Sequence, residues 1–98
     1  MPSQPPRQNT AKKRVQLAKR EQELTHAIRN SLPDAQLVRA AEAVRTAQLS
    51  LLKAELYWAE DPKNIYRDRT SGIPKIQRDQ QMWTEKSAEE IVSKYRDF

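Results

Sequence analysis

The residues of this chain that could perform covalent or proton-transfer chemistry are few and poorly grouped for it. There is one histidine, His26, and no cysteine, which removes a thiol nucleophile, a thiolate metal site and a disulfide framework. Glu23 and His26 have the Glu-x-x-His spacing that di-iron four-helix bundles use for a ligand pair. On a helical wheel the apolar seam of Leu17, Leu24 and Ile28 lies roughly 170° from His26 and roughly 130° from Glu23, so both side chains are expected in solvent. Glu89 and Glu90 fit the first turn of a helix, where the macrodipole favours acids. The single glycine leaves no phosphate-binding loop. Arg67-Asp68-Arg69-Thr70-Ser71 matches a basophilic phosphorylation pattern, but such short strings are commonly solvated loop. The expectation is a protein that is not an enzyme and takes neither a metal nor another cofactor.

The strong chemical signal is charge. The first twenty residues carry six basic side chains, Arg7, Lys12, Lys13, Arg14, Lys19 and Arg20, and no acid. Residues 21–60 hold four basic and six acidic groups, and residues 61–98 hold eight and seven, within a net charge of +5. A cationic arm on a nearly neutral body is suited to a polyanion, nucleic acid first, or to an acidic protein surface. If four to six of these groups neutralise phosphates, log K falls with log salt at a slope of about −4 to −5. Residues 11–17, AKKRVQL, also resemble a short basic nuclear-import signal, and a solubilising helix terminus is the plainer account. No helix-turn-helix glycine turn, zinc-finger ligand set or aromatic RNP-like strand is present, so binding without sequence preference is expected.

The elements that must carry these residues are helical. One glycine against abundant Ala, Glu, Lys, Arg, Gln and Leu is a helix-forming composition. Residues 1–9, with three prolines, are expected to be a flexible tail ahead of a single helical domain, 10–98. A first helix is expected over about 10–31, capped at Asn9 or Thr10. Ser31-x-x-Asp34 has capping-box spacing and predicts a second helix over about 32–60, stopped by Asp61-Pro62. Its apolar residues cover an arc of roughly 200°, leaving Arg39, Glu42, Thr46, Ser50, Lys53 and Tyr57 as a polar strip. After a connection at 61–73, a third helical region spans about 74–97, with a further capping box at Ser87-x-x-Glu90 where it can break in two. The expected fold is all-α: an antiparallel helical hairpin plus a C-terminal helical segment. Leu, Ile, Val and Phe make up only 18 of 98 residues, so the small bundle is expected to be completed by self-association.

Six residues stand out as candidate contacts with another chain. Gln48 and Glu55 fall near the middle of the apolar arc, either fixing register in a helix interface or turned toward a groove edge; the second is preferred because an unpaired Glu is seldom buried. Leu52 lies on the same arc, Trp83 and Tyr95 continue the C-terminal apolar stripe, where core is the plainer account of Trp83, and Phe98 ends the chain where burial within one molecule is difficult.

Two functions from different classes follow. In the first, the basic N-terminal arm binds nucleic acid while the helices form a homo-oligomer. In the second, a helical adaptor or assembly subunit offers its apolar second helix and C-terminal aromatics to a helical partner. The longest apolar stretch, Leu49 to Ala59, is interrupted by Lys53 and Glu55 and falls short of the roughly 20 residues of a membrane span. No apolar signal region opens the chain. An intracellular setting, in cytoplasm, nucleus or nucleoid, without membrane association is therefore expected. The wheel also makes a direct prediction: Leu52→Asp unfolds or dissociates the protein at a cost of several kcal/mol, whereas Lys53→Asp changes stability by about half a kcal/mol or less, as read by thermal melts.

Overall fold

A computed structural model describes residues 6–60 and 73–97, with side chains from Thr10 onward in the first helix. The described residues form four helices and no strand: α1 (Pro6–Arg29), α2 (Asp34–Glu60), α3 (Ile73–Glu85) and α4 (Ala88–Arg96). The protein is all-α. α1 begins at Pro6, earlier than the expected cap at Asn9 or Thr10; proline is well tolerated in a first turn, where its missing N–H would have had no partner. The expected connection at 61–73 lies outside the described residues except for Ile73, which opens α3.

The link between α1 and α2 departs from the expected capping box. Ser31 adopts a left-handed conformation with φ 51°. Its N–H donates to the Ile28 carbonyl at 3.1 Å, and the Leu32 N–H donates to the Ala27 carbonyl at 3.1 Å. This pair of bonds is a Schellman motif that ends α1, with Ser31 in the position usually held by glycine. The Asn30 side chain adds a 2.8 Å bond to the His26 carbonyl. Ser31 thus closes α1 rather than starting α2. The Pro33 carbonyl instead accepts the first bond of α2, from the Leu37 N–H at 3.1 Å, and Asp34 supplies the acid favoured in that first turn. The turn reverses the chain, so Arg14 near the start of α1 comes within 3.9 Å of Glu55 near the end of α2.

α2 touches all three other helices, and α4 also reaches α1. The wide apolar arc of α2 explains its central place: Leu37, Ala41, Val44 and Leu52 enter one core with Leu24 and Ala27 of α1, Trp83 of α3 and Ile91, Val92 and Tyr95 of α4. The polar strip read from the sequence stays outside, with Arg39, Glu42, Thr46, Lys53 and Tyr57 exposed and Ser50 half-buried. Leu24, Val44 and Ile91 are fully buried, each contributing about 1.5–3 kcal/mol of apolar transfer.

The third helical region breaks at its capping box. The Ser87 hydroxyl accepts the Glu90 N–H at 3.2 Å, and Glu89 and Glu90 occupy the first turn of α4. At the same corner the Arg45 guanidinium donates to the Lys86 carbonyl, satisfying an acceptor left over by the end of α3. α2 thereby fastens the α3–α4 bend with a charged hydrogen bond.

Ser31 generates a test. An L-residue in the left-handed region carries a cost of roughly 1–2 kcal/mol that glycine avoids. Ser31→Gly is expected to hold or raise the melting temperature, while Ser31→Val, β-branched at positive φ, is expected to lower stability by about 1–2 kcal/mol in denaturant titrations.

Candidate functional site

The basic residues do not form a detached arm. α1 is packed against α2 along this segment: Thr10 is buried, and Leu17 packs onto the core. The physical reason is that helix formation from Pro6 carries the apolar seam back to Thr10, so the cations ride on a helix whose other face is already committed.

That helix sorts them. At roughly 100° per residue, Lys12, Lys13, Lys19 and Arg20 fall within about 120° of one another, whereas Arg14 lies on the other side of the buried seam. The arrangement centres on Gln16. Lys12 and Arg20 are four residues from it and Lys13 and Lys19 are three, so each of the four cations is its helical neighbour. Lys12, Lys13 and Lys19 make no ion pair or hydrogen bond with the described residues. Arg20 is held by Glu23 at 2.8 Å. Arg14, largely exposed, pairs loosely with Glu55. The side chain of Arg7 lies outside the described residues.

Lys13, Gln16 and Arg20 form one wall of an open groove of about 400 Å³; Thr46 and Ser50 of α2 form the other, over a floor of Ala43 and Ala47. The groove exists because alanines on α2 face long side chains on α1, leaving space between the helices that their stems only edge. Positive charge on one wall and hydroxyl groups on the other suit an anion with several oxygens. Thr46 and Ser50 were legible in the sequence as a polar strip; that they face the basic residues depends on the reversal at Ser31.

The electrostatics of the helix ends separate binding charge from stabilising charge. α2 places Asp34 in its first turn, and α4 places Glu89 and Glu90 there with Lys94 and Arg96 in its last, all favoured by the dipole. The first turn of α1 has no acid. Within α1, Arg20 alone of the four gains a carboxylate partner, Glu23.

The candidate interface residues are largely used within the chain. Leu52, Trp83 and Tyr95 are buried in the core, because α3 and α4 fold onto α2 and supply the cover that composition had suggested a second copy would provide. Trp83 is further held by Lys94 and Lys86, whose ammonium groups lie 4.9 and 5.7 Å from its ring centroid. Gln48 is half-buried, and Glu55 reaches the edge facing Arg14. Phe98 lies outside the described residues. Glu23 and His26 are both exposed, and no group of three or more potential metal ligands occurs among the described residues. No described helix is long and apolar enough to cross a membrane. No family model, curated protein or solved structure matches the chain.

The Tyr95 hydroxyl is perturbed by its surroundings. Burial, and then the hydrogen bond its hydroxyl donates to the Glu21 carboxylate, push the Tyr95 pKa well above the usual phenol value. The native state holds this proton more tightly than the unfolded chain does. The contribution to stability is thus complete below the unfolded pKa of about 10 and is lost as pH rises beyond it. Stability is expected to fall above about pH 10, and Tyr95→Phe, which lacks the titrating proton, is expected to flatten that alkaline decline in melts taken across pH.

Proposed function

We propose that this chain is a small non-enzymatic helical protein that binds a polyanion, nucleic acid first, through the cationic face of α1. The observation that carries the reading is the set of four cations around the neutral Gln16, three of them without a carboxylate partner among the described residues. A structural helix face of this length would ordinarily interleave acids at i,i+4; here the first twenty residues have none. Phosphate oxygens placed over Gln16 are within reach of several ammonium groups at once, which is the geometry of backbone neutralisation without base readout. An acidic protein surface satisfies the same charges less well, since its carboxylates are not spaced as a regular polyanion.

The helices α1 and α2, with α3 and α4 packed on α2, serve in this reading as a scaffold. Helix-mediated oligomerisation and the adaptor reading receive less support. The large apolar side chains exposed among the described residues, Val15, Val38, Tyr57 and Met82, are scattered over three helices.

Gln16→Glu separates binding from folding. The new carboxylate gains i,i+4 and i,i+3 partners in all four cations, so the helix is expected to be as stable or slightly more stable. The same charge repels phosphate, and affinity for a fluorescent oligonucleotide is expected to fall about tenfold. With four cations engaged, the wild-type slope of log K on log salt is expected to be about −3 to −4. Salt-independent binding, or affinity unchanged in Gln16→Glu, would instead favour a partner protein recognised elsewhere on the helices.

A further inference from the structure

Tyr57 is 73% exposed on α2 and makes no hydrogen bond or ring contact with the described residues. Every other described aromatic is buried or half-buried. Its ring is accessible on a strip of α2 that is otherwise polar. Tyr57 lies seven residues beyond Ser50 and eleven beyond Thr46, spacings that return to the same helical face. Ser50 and Thr46 form the α2 wall of the cationic groove. Tyr57 therefore stands on that wall's own line, about 10 Å past Ser50. Lys53, also exposed, lies between them at i+3 from Ser50 and i−4 from Tyr57.

The sequence of groups along this line is hydroxyl, hydroxyl, ammonium, aromatic ring, and across from it run Arg20, Gln16 and Lys13. Cations that track phosphates, followed by an accessible ring face, are the two parts needed to hold an unpaired strand: the charges grip the backbone and the ring stacks a base. A duplex keeps its bases stacked on one another and gives such a ring nothing to cover.

We infer that the α1–α2 groove binds single-stranded nucleic acid, with phosphates between Lys13, Arg20 and the Ser50 and Thr46 hydroxyls and a base stacked on Tyr57. This rests on the polyanion reading above and adds the form of the nucleic acid and the residue that distinguishes it. No sequence preference is implied, because every base has a face that can stack.

The test uses the full chain and three probes: a labelled single-stranded oligonucleotide of about 12 nucleotides, its duplex, and base-free polyphosphate as competitor. Tyr57→Ala, at an exposed site, is expected to keep the wild-type helical circular dichroism and to bind the single strand about tenfold more weakly, with the salt slope unchanged. Tyr57→Phe restores the affinity, since the ring rather than the hydroxyl stacks. Affinity for polyphosphate is expected to be the same in both variants, and Met82→Ala, exposed on α3, controls for loss of surface area. Equal single-strand affinity in wild type and Tyr57→Ala, or tighter binding of the duplex than of the single strand, would overturn the inference while leaving the polyanion reading intact. Absence of salt-dependent binding to all three probes would overturn both.

Discussion

The reversal at Ser31 is the constraint on which the remaining geometry depends. Two backbone bonds, from Ser31 to Ile28 and from Leu32 to Ala27, fix the end of α1, and the Pro33 carbonyl begins α2 only a residue later. With so short a link the helices have little freedom to slide or rotate relative to each other. Lys13, Gln16 and Arg20 are consequently set beside Ala43, Thr46, Ala47 and Ser50. One residue inserted in the last turn of α1 would turn the preceding part of that helix by about 100° relative to the link. The lysines would then rotate away from the hydroxyl groups, and Leu24 would leave the core.

Core energetics explain why the surface charge is free for another use. Burial of Leu24, Val44 and Ile91 is complete, while the observed ion pairs are exposed contacts of the kind worth about 1 kcal/mol or less. The corner between α3 and α4 is held differently, by a hydroxyl cap from Ser87, the Arg45 guanidinium on the Lys86 carbonyl, and two ammonium groups on the Trp83 ring. These contacts close the bundle over α2, so stability does not rest on the cations of α1. Arg45 shows the cost of that closure: its Nε is buried with no partner among the described residues.

Periodicity made much of the fold readable in advance, and the failures share one cause. The helical character, the break at Ser87 and the polar strip of α2 all follow from local rules, because a cap acts within a few residues of itself and a helical face repeats every few residues. Ser31-x-x-Asp34 satisfied a local rule equally well, yet Ser31 was taken by the end of α1; two adjacent helices compete for the same residues, and spacing alone does not say which one gains them. Which elements cover Leu52, Trp83 and Tyr95 is not legible locally, because counting apolar residues says how much surface needs cover without saying what covers it. The basic residues were visible as a cluster. Their division into a face around Gln16 and an outlying Arg14 required the position of α2.

Like charges on one helix ordinarily weaken it, and the spacing here shows how α1 tolerates them. Lys12 and Lys19 are seven residues apart, as are Lys13 and Arg20, which places each pair about 10 Å apart along the axis. That distance is close to the Debye length of about 8 Å at physiological salt, so mutual repulsion is largely screened. A closer i,i+4 spacing would bring direct repulsion of a few tenths of a kcal/mol per pair. The neutral Gln16 occupies the one position adjacent to all four. The same spacing brings all four within reach of a single anion above Gln16, because each lies three or four residues from it, one adjacent pair on either side. A helix selected only for stability would place a glutamate there.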